Sequence, residues 1–324
     1  MLLYGTDAAG RPLNRDSLFP VASITKLATA LALLRLVDAG VVALNDPLSL
    51  HIPEAAAAAH PGVTLRRLLS HTAGLPMDVS QERAAYTPGL SWPTLAEACL
   101  QTPLERPPFV RVQYSNTGYG LLAVVVERKT GMEFPVALGR LVLEPLGIEG
   151  YLGVQPPRPQ VMLAGVRGPH TGTALEQFNS SFWNSLAMPW AGLLTTPEGA
   201  LALVRCFLET PAGFLRLDTV AEALRSQTDG LAGGFAKPLL WDPSPWGLGP
   251  ELRGRKAPHW APAPPLVSPE SFGHSGASGC LVWADPTSGV AWAILGTRTA
   301  GSGWLLRRGP AISEAILNSI QSNR

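Results

Sequence analysis

Residues 24–37, ITKLATALALLRLV, are apolar on nearly every face and contain neither glycine nor proline. A helix with that pattern has no side to turn to water, so the rest of the chain must surround it. Gly40 supplies a stop signal just beyond it. Yet Lys26 stands at the head of the run, three residues after Ser23. Residues three apart share a helix face at about 5–6 Å, so the hydroxyl and the amine can meet. An amine carried into an apolar interior loses its preference for charge, and a neutral amine is a base. Serine needs such a neighbour to act as a nucleophile at neutral pH. The N–H groups at a helix start also favour developing negative charge. The competing reading makes Ser23 a cap and lets Lys26 snorkel to solvent. The pair alone does not decide between them.

Two further segments bear on the question. QYSNTGYGLLAVVVE places Tyr114 and Asn116 on a turn before a second apolar helix, with Gly118 and Gly120 permitting close approach. A phenol near an ammonium can be held partly ionised and shuttle protons. Asn116 can donate to a substrate carbonyl while holding Lys26 in place. Packing of the Tyr114 ring in the core and capping by Asn116 would explain the same residues. Near the C-terminus, FGHSGASG reads as a glycine-rich strand along whose edge a substrate can lie, with His274 facing the same cleft. A strand packed closely on a helix would need those glycines too.

The remaining sequence narrows the function classes. With 25 basic and 24 acidic residues the formal charge is +1, so no basic face recruits nucleic acid and no polybasic segment recruits a membrane. Cys99, Cys206 and Cys280 are scattered, which argues against a disulfide framework or zinc cluster. His51, His60, His170 and His259 lack metal spacing, and no cofactor is expected. His71 in LLSHTAGLP reads as a loop-fixing residue bonded to backbone. Trp183, Trp190, Trp241, Trp246 and Trp260 read as packing residues near the cleft. The start, MLLYGTDAAGRPLN, lacks a signal-peptide pattern, and no apolar run is long enough to span a membrane. The chain as given therefore reads as cytoplasmic, with a periplasmic or secreted location reserved for a longer start.

LLYGTDAAGRPL is expected to form a short strand, and VQPPRPQ and APHWAPAPPLVSPE extended surface loops. TPEGALALVRCFLET reads as a helix with Pro197 in its first turn. SFGHSGASGCLVWADPTSGVAWAIL reads as strands with DPTSG as a hairpin turn, followed by a closing amphipathic helix. Strands at both ends with helices between them give an α/β (α+β) fold: an antiparallel sheet flanked by helices, plus an inserted mostly helical domain. The expected division is 1–50 with 191–324 as the discontinuous domain and 51–190 as the insertion, with the active site between them.

Taken as a set, S-I-T-K, then Y-S-N, then H-S-G closely resembles the serine β-lactamase and penicillin-binding-protein superfamily. The chain looks most like its class C β-lactamase-related group, which holds D-alanyl-D-alanine carboxypeptidases, D-aminopeptidases and family VIII carboxylesterases. DSLFPVASITK, VTLRRLLSHTAGLP and FGHSGASGCLVWADPTSGVAWAIL support the resemblance along nearly the whole chain. It implies that Ser23 attacks a carbonyl to form an acyl-enzyme, with Lys26 as proton partner and Tyr114 as general base. It implies that Asn116 positions Lys26 and the substrate, and that the backbone N–H groups of Ser23 and Ala277 form the oxyanion hole. His274, Ser275 and Gly276 would line the substrate. β-Lactamases of this kind usually carry lysine at position 274. The histidine here tilts the expectation toward a carboxylesterase, with D-amino-acid peptidase, DD-carboxypeptidase or weak β-lactamase activity as alternatives.

The substrate would be a small ester, amide or D-amino-acid peptide. A non-catalytic binding member of the fold is the alternative from another class. An α/β-hydrolase would want G-x-S-x-G, which no stretch satisfies. Relatives usually have a helix and another strand before this start, so self-association as a homo-oligomer is an expectation as well.

Overall fold

The structure, a computed structural model, describes residues 1–321. Its main sheet is antiparallel, in the order Val290–Leu295, Cys280–Asp285, Phe272–Gly276, Glu251–Leu252. The first two strands pair from Val290 with Asp285 to Leu295 with Cys280, so DPTSG is the hairpin turn expected. Every residue of Cys280–Asp285 is buried, and strand alternation divides them between two cores. Cys280, Val282 and Ala284 join the main core with Val204 and Phe207 of the Pro197–Leu208 helix. Leu281 and Trp283 join a second core closed by Leu305 and Leu317 of the Trp304–Gln321 helix.

The apolar run forms the Thr25–Asp38 helix, buried without interruption from Thr25 to Leu34. Ser23 is not on that helix itself. It lies on a preceding 3₁₀ turn, Ala22–Ile24, which swings the chain out of the short strand Phe19–Pro20. The second apolar run forms Asn116–Thr130, capped by Ser115 Oγ, which accepts from Gly118 N at 3.0 Å, and ended by Gly131 at φ +67°. A methyl on Gly120 would stand 2.4 Å from Cys99 Sγ, so that glycine permits the helix to dock. Gly118 would meet only ordinary contacts at 3.6 Å, so the close approach needs one of the two glycines and not both.

Three local expectations fail. Residues 1–4 are exposed and the expected first strand is reduced to one bridge, Thr6 with Pro12, because that segment has no partner strand to bury its side chains. The second proline-rich stretch is not a surface loop. His259, Trp260, Ala261 and Val267 are buried in it, because it folds over Glu251 at the sheet edge. Position 23 starts the helical region one turn earlier than the α-helix proper, as above. No helix among the described residues is long and apolar enough to cross a membrane.

Candidate active site

Backbone contacts set the position of Ser23. Val21 N donates to Leu193 O at 3.1 Å, and the Val21 carbonyl lies so close to Gly276 that a Cβ there would approach it to 2.3 Å. The glycine of H-S-G is thus what lets the end of the Phe272–Gly276 strand lie against the turn carrying Ser23. Ala22, immediately before it, holds φ +47°, a conformation side-chain-bearing residues rarely adopt. Ser23 itself is half-buried.

Lys26 has no exposure at all. Its Nζ donates to the Trp190 carbonyl at 3.0 Å and lies 3.4 Å from Ser23 Oγ. The helix is strapped to residues 189–193 along one face. Thr29 Oγ1 donates to Pro189 O, Lys26 to Trp190 O, and Thr25 Oγ1 accepts from Leu193 N. The snorkelling alternative is therefore excluded: the amine turns inward and finds a carbonyl there. Burial holds its pKa well below the ordinary 10.5, with Asp78 opposing the shift.

Tyr114, just before the Asn116–Thr130 helix, lies over the amine. Lys26 Nζ is 4.7 Å from the centre of its ring. The ring stacks between His71, at 4.4 Å between centroids, and Phe235, at 4.2 Å. Its hydroxyl is buried beside the Ser23 hydroxyl, with no other hydrogen-bond partner among the described residues. Burial pushes the phenol pKa well above 10.0, with the Ser23 hydroxyl opposing. The partly ionised phenol expected from the sequence is therefore not what this environment favours. A dry pocket that disfavours the lysine ammonium disfavours the phenolate as well.

His71 accepts from Ser115 N on Nδ1 at 3.1 Å, which puts its proton on Nε2, and its carbonyl accepts from Gln113 N. It fixes the loop through backbone, as expected, and in addition forms the floor under Tyr114. His274 is fully buried, with Nδ1 2.7 Å from the Ser275 carbonyl. That assigns the proton to Nδ1 and leaves the Nε2 lone pair without a partner. Burial, then the nearby Lys26, lowers its pKa to about 4. The ring lies 6.0 Å from Tyr114 and 6.0 Å from Trp246, inside an aromatic cluster and not on an open cleft wall. Ser275 is half-buried and Ala277 exposed. The Ala277 carbonyl is held by Ala300 N at 2.8 Å, and among the described residues no turn or loop hydrogen bond engages the Ala277 N–H.

Asn116 differs from expectation. Its Nδ2 donates to Asp78 Oδ1 at 2.7 Å and its Oδ1 is buried without a partner. No hydrogen bond joins it to Lys26 among the described residues, because the amine is already taken up by Trp190 and Ser23. Sequence reasoning also missed a buried charge cluster behind the site. Glu251 Oε1 accepts from Lys256 Nζ at 2.7 Å and lies 3.3 Å from His259 Nε2, all three side chains being fully buried. Lys256 sits 4.9 Å from the centre of the Trp246 ring, which separates it from Tyr114 and His274. The signal available was the spacing of Glu251, Lys256 and His259 on one turn-rich loop, too common a pattern to single out.

A serine hydroxyl, a dry amine and a phenol thus meet at one helix start. The family model described as Beta-lactamase matches residues 3–314. The chain belongs to the β-lactamase family. This family member is 30% identical over 278 residues to Esterase EstB of Burkholderia gladioli, covering 73% of this chain and 70% of the relative. It is 28% identical over 298 residues to Penicillin-binding protein 4 of Amycolatopsis lactamdurans, covering 88% and 74%. Among solved structures, a β-lactamase from Mycobacterium bovis matches with a TM-score of 0.67 at 31% identity, covering 94% of this chain and 88% of that one. The D-amino acid amidase of Ochrobactrum anthropi SV3 shares the fold, with a TM-score of 0.71 at 21% identity over 98% and 87%. The β-lactamase-family protein described here is a serine hydrolase with the mixed α/β fold of these relatives.

Proposed function

We propose that this hydrolase forms an acyl-enzyme on Ser23 with small carboxylic esters, working in the cleft between the sheet lobe (1–50 and 191–324) and the helical lobe (51–190). The observation that carries the reading is the fully buried Lys26 Nζ, 3.4 Å from Ser23 Oγ and beneath the Tyr114 ring. As a neutral amine, Lys26 takes the Ser23 proton while Oγ bonds to the carbonyl carbon. The proton then passes to the leaving alkoxide through the Tyr114 hydroxyl as the ester C–O bond breaks. Water attacks the acyl-enzyme by the same route in reverse, and the acid leaves with Ser23–OH restored. The oxyanion is received by the N–H groups of Ser23 and Ala277, donors worth roughly 10²–10³ in rate each. Asn116 touches substrate through its unengaged amide oxygen, and the 275–276 edge supports the acyl chain.

Esters rank first because His274 is an uncharged imidazole here and offers no fixed cation to a substrate carboxylate. The similarity to Esterase EstB supports the same ranking. A substrate panel tests it: p-nitrophenyl butyrate, D-alanine p-nitroanilide and nitrocefin with wild type and Ser23→Ala. The butyrate should dominate and Ser23→Ala should lose all turnover. Dominant nitrocefin hydrolysis would overturn the ester assignment, and full activity in Ser23→Ala would overturn the nucleophile.

A further inference from the structure

The Tyr114 phenol is aimed by packing and not by polar contacts. Among the described residues its hydroxyl has only the Ser23 hydroxyl beside it. The ring meets Phe235 at 4.2 Å between centroids, His71 at 4.4 Å and Trp246 at 5.8 Å. Phe235 in turn meets Trp241 edge-on at 6.0 Å. One buried amine lies against both tryptophans. Lys256 Nζ is 4.8 Å from the centre of the Trp241 ring and 4.9 Å from that of Trp246. A cation attracts a ring face most strongly where neither is hydrated, and this side chain has no exposure. Two of the rings that aim Tyr114 are thus tied, directly or through Trp241, to a single ammonium.

That ammonium is itself fixed from behind. Glu251 Oε1 accepts from it at 2.7 Å. His259 accepts from Ala261 N on Nδ1 at 3.0 Å, so its Nε2–H faces the same carboxylate oxygen at 3.3 Å. Against burial, Lys256 and then His259 hold the Glu251 carboxyl down to about 2, so the pair is ionised. Arg253 donates to the carbonyls of Lys256 and Pro262, which folds the 253–262 loop over the pair. Trp246 and Glu251 bridge each other through backbone, and Trp246 Nε1 donates to Gly249 O at 3.2 Å. Tryptophan and carboxylate therefore share one tight turn. A buried ion pair seldom adds stability over apolar side chains of the same volume, so stability alone does not account for charges at this place.

We propose that Lys256, held by Glu251, is a positioning residue for acylation: its buried ammonium pins Trp246 and Trp241, and through them and Phe235 fixes the Tyr114 phenol over Lys26. The inference rests on Ser23 acylation with proton transfer through Tyr114, as proposed above, and adds what aims the phenol. Lys256 touches neither substrate nor the reacting atoms, since the Trp246 ring stands between it and Tyr114. Loss of the cation frees both tryptophans to tilt, and the phenol has no hydrogen bond to a fixed group that would hold it in place.

Glu251→Gln with Lys256→Met removes both charges at nearly constant volume. Glu251→Gln with Lys256→Gln does the same and keeps a hydrogen bond across the pair. Each pair is measured for kcat and KM on p-nitrophenyl butyrate, alone and combined with Tyr114→Phe, with urea midpoints confirming a folded state. With Tyr114 intact, each should lower kcat about 10²-fold, the scale of a displacement of about 1 Å, with KM unchanged. In Tyr114→Phe the same pairs should change kcat by less than about twofold, because no hydroxyl remains to aim. General loosening of the fold would lower kcat by the same factor in both backgrounds, and that result overturns the proposal. Wild-type kcat in either folded pair, or in Tyr114→Phe itself, overturns it too. Adduct formation at Ser23 with a fluorophosphonate, read by intact mass in wild type, tests the underlying acylation separately. An adduct with equal losses in both backgrounds sinks Lys256 alone, and absence of an adduct sinks both.

Discussion

Replacing Lys26 with methionine should destroy activity and stabilise the protein. Lys26 has zero exposure, and burial holds its pKa well below 10.5, so the native state disfavours the ammonium that the unfolded chain carries. The unfolded state therefore binds the extra proton, and stability rises with pH from the depressed native value up to the unfolded one. Over that range the linkage withholds stability from the folded protein, the more so the lower the pH. Methionine removes this term and retains most of the packing volume. Against it stands the Trp190 carbonyl, left without its 3.0 Å donor at a cost of about 1–3 kcal/mol. The linkage is expected to exceed this cost, which makes the variant the more stable protein at pH 7. With an unfolding entropy of about 2 cal/mol/K per residue, each kcal/mol gained raises Tm by roughly 1.5 °C. Turnover of p-nitrophenyl butyrate should fall by about 10²–10⁴-fold. Urea denaturation of both proteins at pH 7 and pH 9.5 is the assay, and the gain should shrink or reverse at the higher pH. A variant that is destabilised at pH 7, or a gain that does not change with pH, refutes the neutral-amine reasoning.

Two further substitutions probe the surroundings of the site. Gly276→Ala places a methyl against the Val21 carbonyl, 2.3 Å away before relaxation, and should cost about 1–3 kcal/mol while lowering kcat by about 10²-fold as Ser23 shifts. Unchanged kinetics would show that the strand and the turn are not coupled. Lys256→Met strands Glu251 in the interior and should cost about 3–5 kcal/mol, whereas Lys256→Met with Glu251→Gln should recover more than half of it. A double variant as unstable as the sum of the two single ones would contradict the reading of this cluster as one ion pair. Thermal and urea denaturation decide both cases.

What the sequence made legible followed from periodicity and from residue chemistry within a single segment. The all-round apolarity of residues 24–37 and 117–126 required buried helices, and both are buried. The alternation in CLVWAD and VAWAIL, joined by DPTSG, required a hairpin, and its register is regular. The three motifs named the side chains that the fold brings together: Ser23, Lys26, Tyr114 and, behind them, His274. What stayed hidden depended on contacts between distant segments. The Trp190 carbonyl that receives Lys26 is a backbone atom 164 residues away, and no side-chain pattern marks it. Asn116 was assigned to Lys26, yet a loop residue 38 positions upstream takes its amide. The proline-rich stretch after position 256 looked like surface, because nothing local announces that Glu251 waits beneath it. The ionisation of Tyr114 was misjudged for a related reason. Proximity to an amine argues for a phenolate only when that amine is charged, and burial disfavours the charged form of both.

The account stands or falls on the bond made at Ser23. Enzyme quenched in acid during turnover of p-nitrophenyl butyrate, digested and mapped by mass spectrometry, reports where the acyl group resides. A butyryl mass on the peptide containing Ser23, absent from Ser23→Ala, is the predicted result. Steady release of nitrophenol with the acyl group on another residue would contradict it.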